Sequence, residues 1–400
     1  MHQEKPGEVR PVVALLTGGG DRPYALGLSE SLLQRGIALD FIGSDEVDAP
    51  FLHSPPLARF LNLRGDQSPQ APVATKMLRL ARYYARLVAY AATAQPRIFH
   101  LLWNNKFEYF DRTVLMAYYR LLGRRVMLTA HNVNIRRRDG NDSALNRWTL
   151  RYQYRHADRI FVHTGLMKQE LVAQFGVAPE RCVVIPFGLN STVPDTALTP
   201  AQARAKLGLG AAEKVLLFFG NIAPYKGLNF LVDALALARQ SGAQYRLVIA
   251  GRPKGAEGYW AGIRGQIEAA GLRDQITERI EFVPDEETEI YFKAADVLVL
   301  PYLQIFQSGV LFLGYNFGLP VIASDVGALR EEVIEGSTGF MCQPSDPADL
   351  ARALERYFDS PLYRNLDQER GRIRAHAANK YSWATVADIT AKAYAELGLR

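Results

Sequence analysis

Val215-Leu216-Leu217-Phe218-Phe219-Gly220-Asn221-Ile222-Ala223-Pro224-Tyr225-Lys226-Gly227 opens on five consecutive apolar residues and enters a glycine-containing loop, and Leu228 to Arg239 then continues with helical spacing. The segment reads as strand, loop, helix. A strand that is apolar at every position, not at every second one, is buried on both faces, which is the condition of a parallel sheet covered by helices. Further strands are expected at Arg246 to Ala250, Ile280 to Val283, Val297 to Leu300 and Val321 to Ala323, with helices between them. The second half is therefore expected to be a Rossmann-like domain.

The first half repeats the pattern. Val12 to Leu16 ends in Thr17-Gly18-Gly19-Gly20, and Tyr24 to Gln34 carries Leu26, Leu28, Leu32 and Leu33 at helical spacing. Strands are expected at Ile37 to Ile42, Ile98 to Leu102, Val126 to Thr129, Ile160 to Val162 and Val183 to Ile185. The fold class is α/β: two doubly wound, Rossmann-like domains. Leu189 to Pro200, with Ser191, Thr192, Pro194, Asp195 and Thr199, has no apolar periodicity and reads as the linker. The domains are set at 1–192 and 193–382, and Ser382 to Leu397 reads as a last helix with Trp383, Val386, Ile389 and Tyr394 on one face.

A length of 400 residues makes two domains the default, and 48% hydrophobic with 22% charged residues excludes a disordered or fibrous chain. No apolar run approaches the ~18 to 20 residues that span a bilayer. The mixed charge of Met1 to Glu8 lacks the apolar core of a secretory signal, so a cytoplasmic location is expected. Cys182 and Cys342 stand alone, far apart and without a Cys/His cluster, so neither structural zinc nor a disulfide framework is expected. Residues 1–189 hold 25 Lys/Arg against 16 Asp/Glu, net +9, and the remainder is −3. That asymmetry suggests an anionic partner for the first half. Arg147, Arg151, Arg155 and Arg159 recur every four residues, and Lys76, Arg79, Arg82 and Arg86 flank Tyr83, Tyr84 and Leu87. On helices these are basic stripes: either solvated faces or a docking surface for anionic lipid at the inner face of the plasma membrane. Nucleic acid is excluded as a partner, because no recognisable reader of bases is present.

Loops that follow parallel strands and open helices favour anions, since backbone amides there lack partners. Gly18, Gly19 and Gly20 bring bare backbone close to a phosphate or sugar, or simply make a tight turn. Lys226 sits where it clamps a diphosphate, or is a solvated lysine. Gln307, Ser308, Gly309 and Val310 precede an apolar helical stretch, where Ser308 is at least an N-cap.

The segments Phe219-Gly220 to Tyr225-Lys226-Gly227, Ala294-Ala295-Asp296-Val297 to Pro301-Tyr302, and Gly318-Leu319-Pro320 to Val326-Gly327 resemble the family 4 glycosyltransferases of GT-B fold. The likeness extends through Glu331, Gly336 and Thr338-Gly339, and more weakly through Thr129-Ala130-His131-Asn132 and Ile185-Pro186-Phe187-Gly188. It implies two domains facing a central cleft, the second holding a nucleoside-diphosphate sugar and the first an acceptor, with transfer that retains the anomeric configuration and uses no metal or other cofactor. Carried over by position, Lys226 is the diphosphate cation, Ser308, Gly309 and Val310 supply amides to the phosphates, and His131 lies by the donor sugar. Gly220 belongs to the same donor loop, and the run Gly18 to Gly20 to the acceptor side. The resemblance also implies that the last helix returns to the first domain. A glycan or lipid-linked saccharide of a bacterial surface polymer is the implied acceptor.

The chain departs from the family where an arginine commonly follows the loop glycine, here Asn221, and where two glutamates commonly stand eight positions apart, here Phe306 and Gly314. Arg252, Gln304 and Gln307 are the nearby polar substitutes, and donor choice is expected to shift toward shape and apolar contact, which suits a deoxysugar. Two rivals remain open: a catalytically silent nucleotide-sugar-binding partner, and a nucleotide-sugar epimerase of the same architecture.

Overall fold

In the computed structural model, residues 12–68, 70–138, 140–189 and 193–398 are described. The expectation drawn from Met1 to Glu8 falls outside them, as does the Ser191-Thr192 part of the linker. The chain forms two compact units, one of Met1–Gly188 with Tyr381–Arg400, the other of Leu189–Lys380.

The first unit is built on a seven-stranded sheet of order β3-β2-β1-β4-β5-β6-β7, parallel throughout. Its strands are β1 (Val13–Leu16), β2 (Leu39–Gly43), β3 (Ala58–Asn62), β4 (Ile98–Leu101), β5 (Arg125–Thr129), β6 (Arg159–Val162) and β7 (Cys182–Val184). Val13, Leu15, Phe41, Phe99 and Phe161 are fully buried, which is why these strands are mainly apolar, with Asp40 of β2 and His100 of β4 the buried polar exceptions. The order reverses direction beside β1, so the loops after β1 and β4 part there and leave a crevice at the carboxyl ends. The helix Trp383–Glu396 packs on the helix Arg22–Gln34: Trp383 lies edge-on to Tyr24 at 5.1 Å, and Tyr394 is buried with its hydroxyl 2.6 Å from His100 Nδ1. Gly27 and Gly188 both lie against the Trp383 ring, and a Cβ at either would overlap it.

The second unit holds a six-stranded parallel sheet of order β10-β9-β8-β11-β12-β13. Here β8 is Val215–Phe219, β9 Arg246–Ala250, β10 Ile276–Arg279, β11 Val297–Leu300, β12 Val321–Ser324 and β13 Gly339–Cys342. From residue 195 onward the expected linker is stapled to this unit. Asp195 pairs with Lys293 at 2.8 Å, Thr196 hydrogen-bonds Glu289, and Thr199 caps a helix that begins at Pro200.

Three expectations need correction. The strand drawn at Ile280 to Val283 is β10, four residues earlier, and Phe282 is an exposed side chain beyond it. Two edge strands, β3 and β13, were not anticipated. Arg159 does not continue a helical stripe, because the helix ends at His156 and Arg159 opens β6, where it pairs with Glu396 at 3.4 Å. Arg147 is bound to Asp142, and Arg151 donates to the Gln174 carbonyl. The other stripe does lie on one helix, Val73–Thr93, with Arg82 and Arg86 exposed and Arg79 paired with Asp66 at 2.8 Å.

No helix among the described residues is long and apolar enough to cross a membrane.

Candidate functional site

In the second unit the loops after β8 and β11 meet. Gly227 adopts φ +66°, and a Cβ there would overlap the Pro301 carbonyl, so glycine is required for this approach. Leu303 N donates to the Tyr225 carbonyl at 2.8 Å and locks the two loops together. Gly220, at φ +95°, lies against the end of Lys226, where a Cβ would stand 3.1 Å from Nζ and 3.5 Å from Val310. Lys226 is only 6% exposed, and its ammonium lies 5.4 Å from the centre of the Tyr302 ring. Among the described residues no carboxylate pairs with it. Burial pushes its pKa down, as expected of a cation held without a counterion.

Facing that cation is the start of the helix Gly309–Asn316. Ser308 caps it, with Oγ accepting from Leu311 N and lying 3.5 Å from the Tyr302 hydroxyl. The amides of Gly309 and Val310 belong to the first turn and have no acceptor within the helix. The amide oxygen and nitrogen of the Gln307 side chain are enclosed without a hydrogen-bond partner. A buried cation, free helix-start amides and an unpaired carboxamide thus gather at one place, an arrangement suited to a diphosphate.

The structure therefore brings together Gly220, Lys226, Gln307, Ser308, Gly309 and Val310. Asn221 and Gln304 are exposed and make no side-chain hydrogen bond among the described residues. Arg252 follows β9 with its guanidinium 5.5 Å from the Phe282 ring, while its carbonyl accepts from Ile222 N. Gly314 differs from its expected setting. A Cβ there would lie 2.8 Å from Leu298 Cδ2 on β11, so the position faces the sheet. A larger hollow of about 1110 Å³, lined by Glu335, Met341, Arg352 and Arg356, is apart from these loops, and its arginines are satisfied by Asp349 and Glu335.

In the first unit the run Gly18 to Gly20 is held by what it touches. A Cβ on Gly18 would strike the Trp103 carbonyl, one on Gly19 the Arg64 guanidinium, and one on Gly20 the Trp103 ring. His131, just beyond β5, stacks on Trp103 at 4.0 Å and 6° and meets Tyr24 edge-on at 4.6 Å. Its Nδ1 is 2.9 Å from Nε2 of His163, whose Nδ1 is 3.3 Å from the Ile185 carbonyl. A carbonyl can only accept, so His163 carries its proton on Nδ1 and leaves Nε2 bare. His131 then donates from Nδ1, and its Nε2 is enclosed without a hydrogen-bond partner. Burial first, then the facing His163 and His100, hold the His131 pKa well below the ordinary imidazole range. Neither His163 nor Trp103 was singled out in the sequence, although His163 follows β6 as His131 follows β5.

Burial also pushes His163 to about 4 and His100 to about 3. Both pKa values lie below the unfolded value of ~6.5, so the unfolded chain takes up protons first as pH falls, and stability is lost below that pH and not above it. The thermal midpoint of the first unit is expected to be flat from pH 8 to 7 and to drop between about pH 6.5 and 4. His100→Gln should flatten that drop; a wild-type midpoint constant down to pH 4.5 contradicts the assignment of neutral imidazoles.

Residues 213–360 match the family described as glycosyl transferases group 1, and residues 18–193 match glycosyltransferase family 4. The chain is 32% identical over 240 residues to the D-inositol 3-phosphate glycosyltransferase of Arthrobacter sp. (strain FB24), covering 60% of this chain and 55% of that one. It is 34% identical over 249 residues to the protein of the same name from Streptomyces bingchenggensis (strain BCW-1), covering 60% and 53%. The chain thus spans a little over half the length of these relatives. Among solved structures, sucrose-phosphate synthase from Thermosynechococcus elongatus superposes with a TM-score of 0.74 at 21% identity, over 97% of this chain and 99% of that one. Anabaena Alr3699/HepE in complex with UDP and glucose gives 0.72 at 18% identity, over 96% and 99%. At such identities the likeness is one of fold: both neighbours pair two Rossmann-like domains of the GT-B kind.

Proposed function

The chain belongs to glycosyltransferase family 4, with the GT-B fold, and from that premise we propose that it is a retaining glycosyltransferase that moves a sugar from a nucleoside-diphosphate sugar to a hydroxyl acceptor. The second unit takes the donor. The observation that carries this is Lys226, a buried cation with no carboxylate partner among the described residues, set beside Gly220 and the first amides of the helix Gly309–Asn316. Burying an unpaired ammonium costs stability, so a protein keeps one where a ligand supplies the missing charge. The fold neighbour that holds UDP and glucose supports the same reading.

As the sugar leaves, negative charge grows on the departing diphosphate. Lys226 and the amides of Gly309 and Val310 are fixed donors that need not reorganise to meet it. His131 is held as a neutral imidazole against Trp103, Tyr24 and His163 in the first unit. No glutamate stands at 306 or 314, so donor selection rests on shape and on the partly buried Phe306, which favours a donor with fewer hydroxyls.

The acceptor is a lipid-linked or growing surface glycan, met at the cytoplasmic side of a membrane that the basic first unit contacts peripherally. The names of the relatives put a phosphate on their acceptor, a feature that lipid-linked intermediates share. Release of nucleoside diphosphate from a panel of UDP-, ADP- and GDP-sugars, with and without hydroxyl acceptors, tests transfer. Acceptor-dependent release supports it; binding without release favours a silent partner, and interconversion of the free nucleotide sugar an epimerase.

Because a lysine and backbone amides meet the diphosphate, we expect transfer to proceed at full rate in excess EDTA. Loss of activity in chelator, restored by Mg²⁺ or Mn²⁺, contradicts metal independence.

A further inference from the structure

Arg64 is 8% exposed, and its Nη1 is enclosed with no hydrogen-bond partner. The guanidinium lies directly over the bare Cα of Gly19 and 5.3 Å from the Tyr83 ring. Its main chain is fixed by Arg64 N donating to the Gly43 carbonyl at the end of β2. It lines a cavity of about 450 Å³ together with Lys76, Arg79, Tyr83, Lys106 and Phe107. One carboxylate, Asp66, shares that lining and is paired with Arg79 at 2.8 Å. The lining therefore carries more basic than acidic side chains. Val73 and Met77, 76% and 55% exposed, form an apolar rim on the helix Val73–Thr93.

A buried guanidinium cannot shed its proton, and the buried carboxylate that faces it, Asp111, makes no ion pair with it among the described residues but accepts from the Tyr84 hydroxyl and the Asn105 amide, so the charge of Arg64 is only partly compensated without a further anion. We infer that this cavity is a phosphoryl-binding site, in which Arg64 holds the phosphate group of the acceptor and Lys76 and Lys106 complete its charge. The inference rests on the proposed function in placing the acceptor on the first unit, and it adds the acceptor's chemical class: a hydroxyl compound carrying a phosphate mono- or diester. It also gives Gly19 a purpose, since any side chain there would displace the guanidinium from its place. Phosphate fits the planar fork of Arg64, and the apolar rim fits whatever hydrocarbon or ring the phosphate bears. The same chemistry is offered by a soluble sugar or polyol phosphate and by a membrane-embedded lipid phosphate.

Equilibrium dialysis of the full chain with radiolabelled inorganic phosphate, in saturating UDP to occupy the donor loops, reads the site directly. The expected result is one equivalent of phosphate bound by wild type, with at least a tenfold loss of affinity in Arg64→Gln and a smaller loss in the exposed-rim variant Lys106→Ala. Arg64→Lys, which keeps the charge without the fork, should bind between wild type and Arg64→Gln. UDP affinity should be the same in all four proteins, so failure of UDP to bind wild type indicts the donor reading, while failure of phosphate to bind indicts this one. Flotation with phosphatidylcholine vesicles, with and without phosphatidic acid, separates the sources. Arg64-dependent recruitment to phosphatidic acid assigns a lipid phosphate, and competition by glycerol phosphate without recruitment assigns a soluble one. No phosphate bound by wild type, or unchanged binding in a folded Arg64→Gln, overturns the inference. Should Arg64→Gln fail to fold, unchanged phosphate affinity in Lys106→Ala and Arg64→Lys overturns it equally.

Discussion

Lys226→Met is expected to lower kcat/KM for sugar transfer by at least tenfold, a loss of about 1.4 kcal/mol or more of transition-state stabilisation, while leaving the fold as stable as before or more so. The two effects have one cause. Lys226 is 6% exposed beside an aromatic ring, and burial lowers its pKa, so the free protein is strained by an ammonium it does not neutralise. A methionine of similar volume fills the same space without that penalty and cannot bind a diphosphate. Steady-state kinetics and a thermal melt on one preparation measure both. A structural lysine would give the opposite pattern, a lower midpoint with little change in turnover, and that result would remove Lys226 from the site.

Gly314→Glu is expected to destabilise the second unit by about 3 kcal/mol or more without improving donor binding. Gly314 is buried on the helix Gly309–Asn316, and a Cβ there would come within 2.8 Å of Leu298 in β11, itself fully buried. A glutamate would force that leucine aside and carry a carboxylate against the apolar sheet. Restoring the family's second glutamate at this position thus fails on packing before any question of recognition arises. A urea titration should show the midpoint fall with the slope unchanged. A variant that melts like wild type and binds a common hexose donor more tightly would show that the helix turns this residue toward the ligand.

The central strands were legible because burial on both faces makes them apolar along continuous runs, as in Val215 to Phe219, Leu247 to Ala250 and Val297 to Leu300. The edges were not. Ala58–Asn62, Ile276–Arg279 and Gly339–Cys342 each have a partner on one side only, and the first two carry Arg, Asn, Thr and Glu among their apolar residues. Near Ile276–Arg279 the more apolar Ile280 to Val283 drew the reading downstream. In the donor loops, a lysine between a strand and a helix start was visible from order alone, because that placement follows from chain direction in a parallel sheet. Its burial was not visible, since that depends on Tyr302 and Gly220 from two different loops. Likewise His131 could be picked out after its strand, but not its tautomer. That is fixed through His163 by the Ile185 carbonyl, a contact across three strands. Arg64 was not singled out in the sequence, since only the fold brings it over Gly19.

The claim on which the rest depends is that the second unit holds a nucleoside diphosphate through Lys226. Thermal-shift titration of the full chain with UDP, ADP and GDP in excess EDTA tests it most directly, because a ligand that binds only the folded state raises stability by RT ln(1 + [L]/Kd). The expected result is that one diphosphate raises the midpoint progressively with concentration and that Lys226→Met, equally folded, loses the response. No shift with any of the three at millimolar concentration, or a shift in Lys226→Met as large as in wild type, would contradict the account.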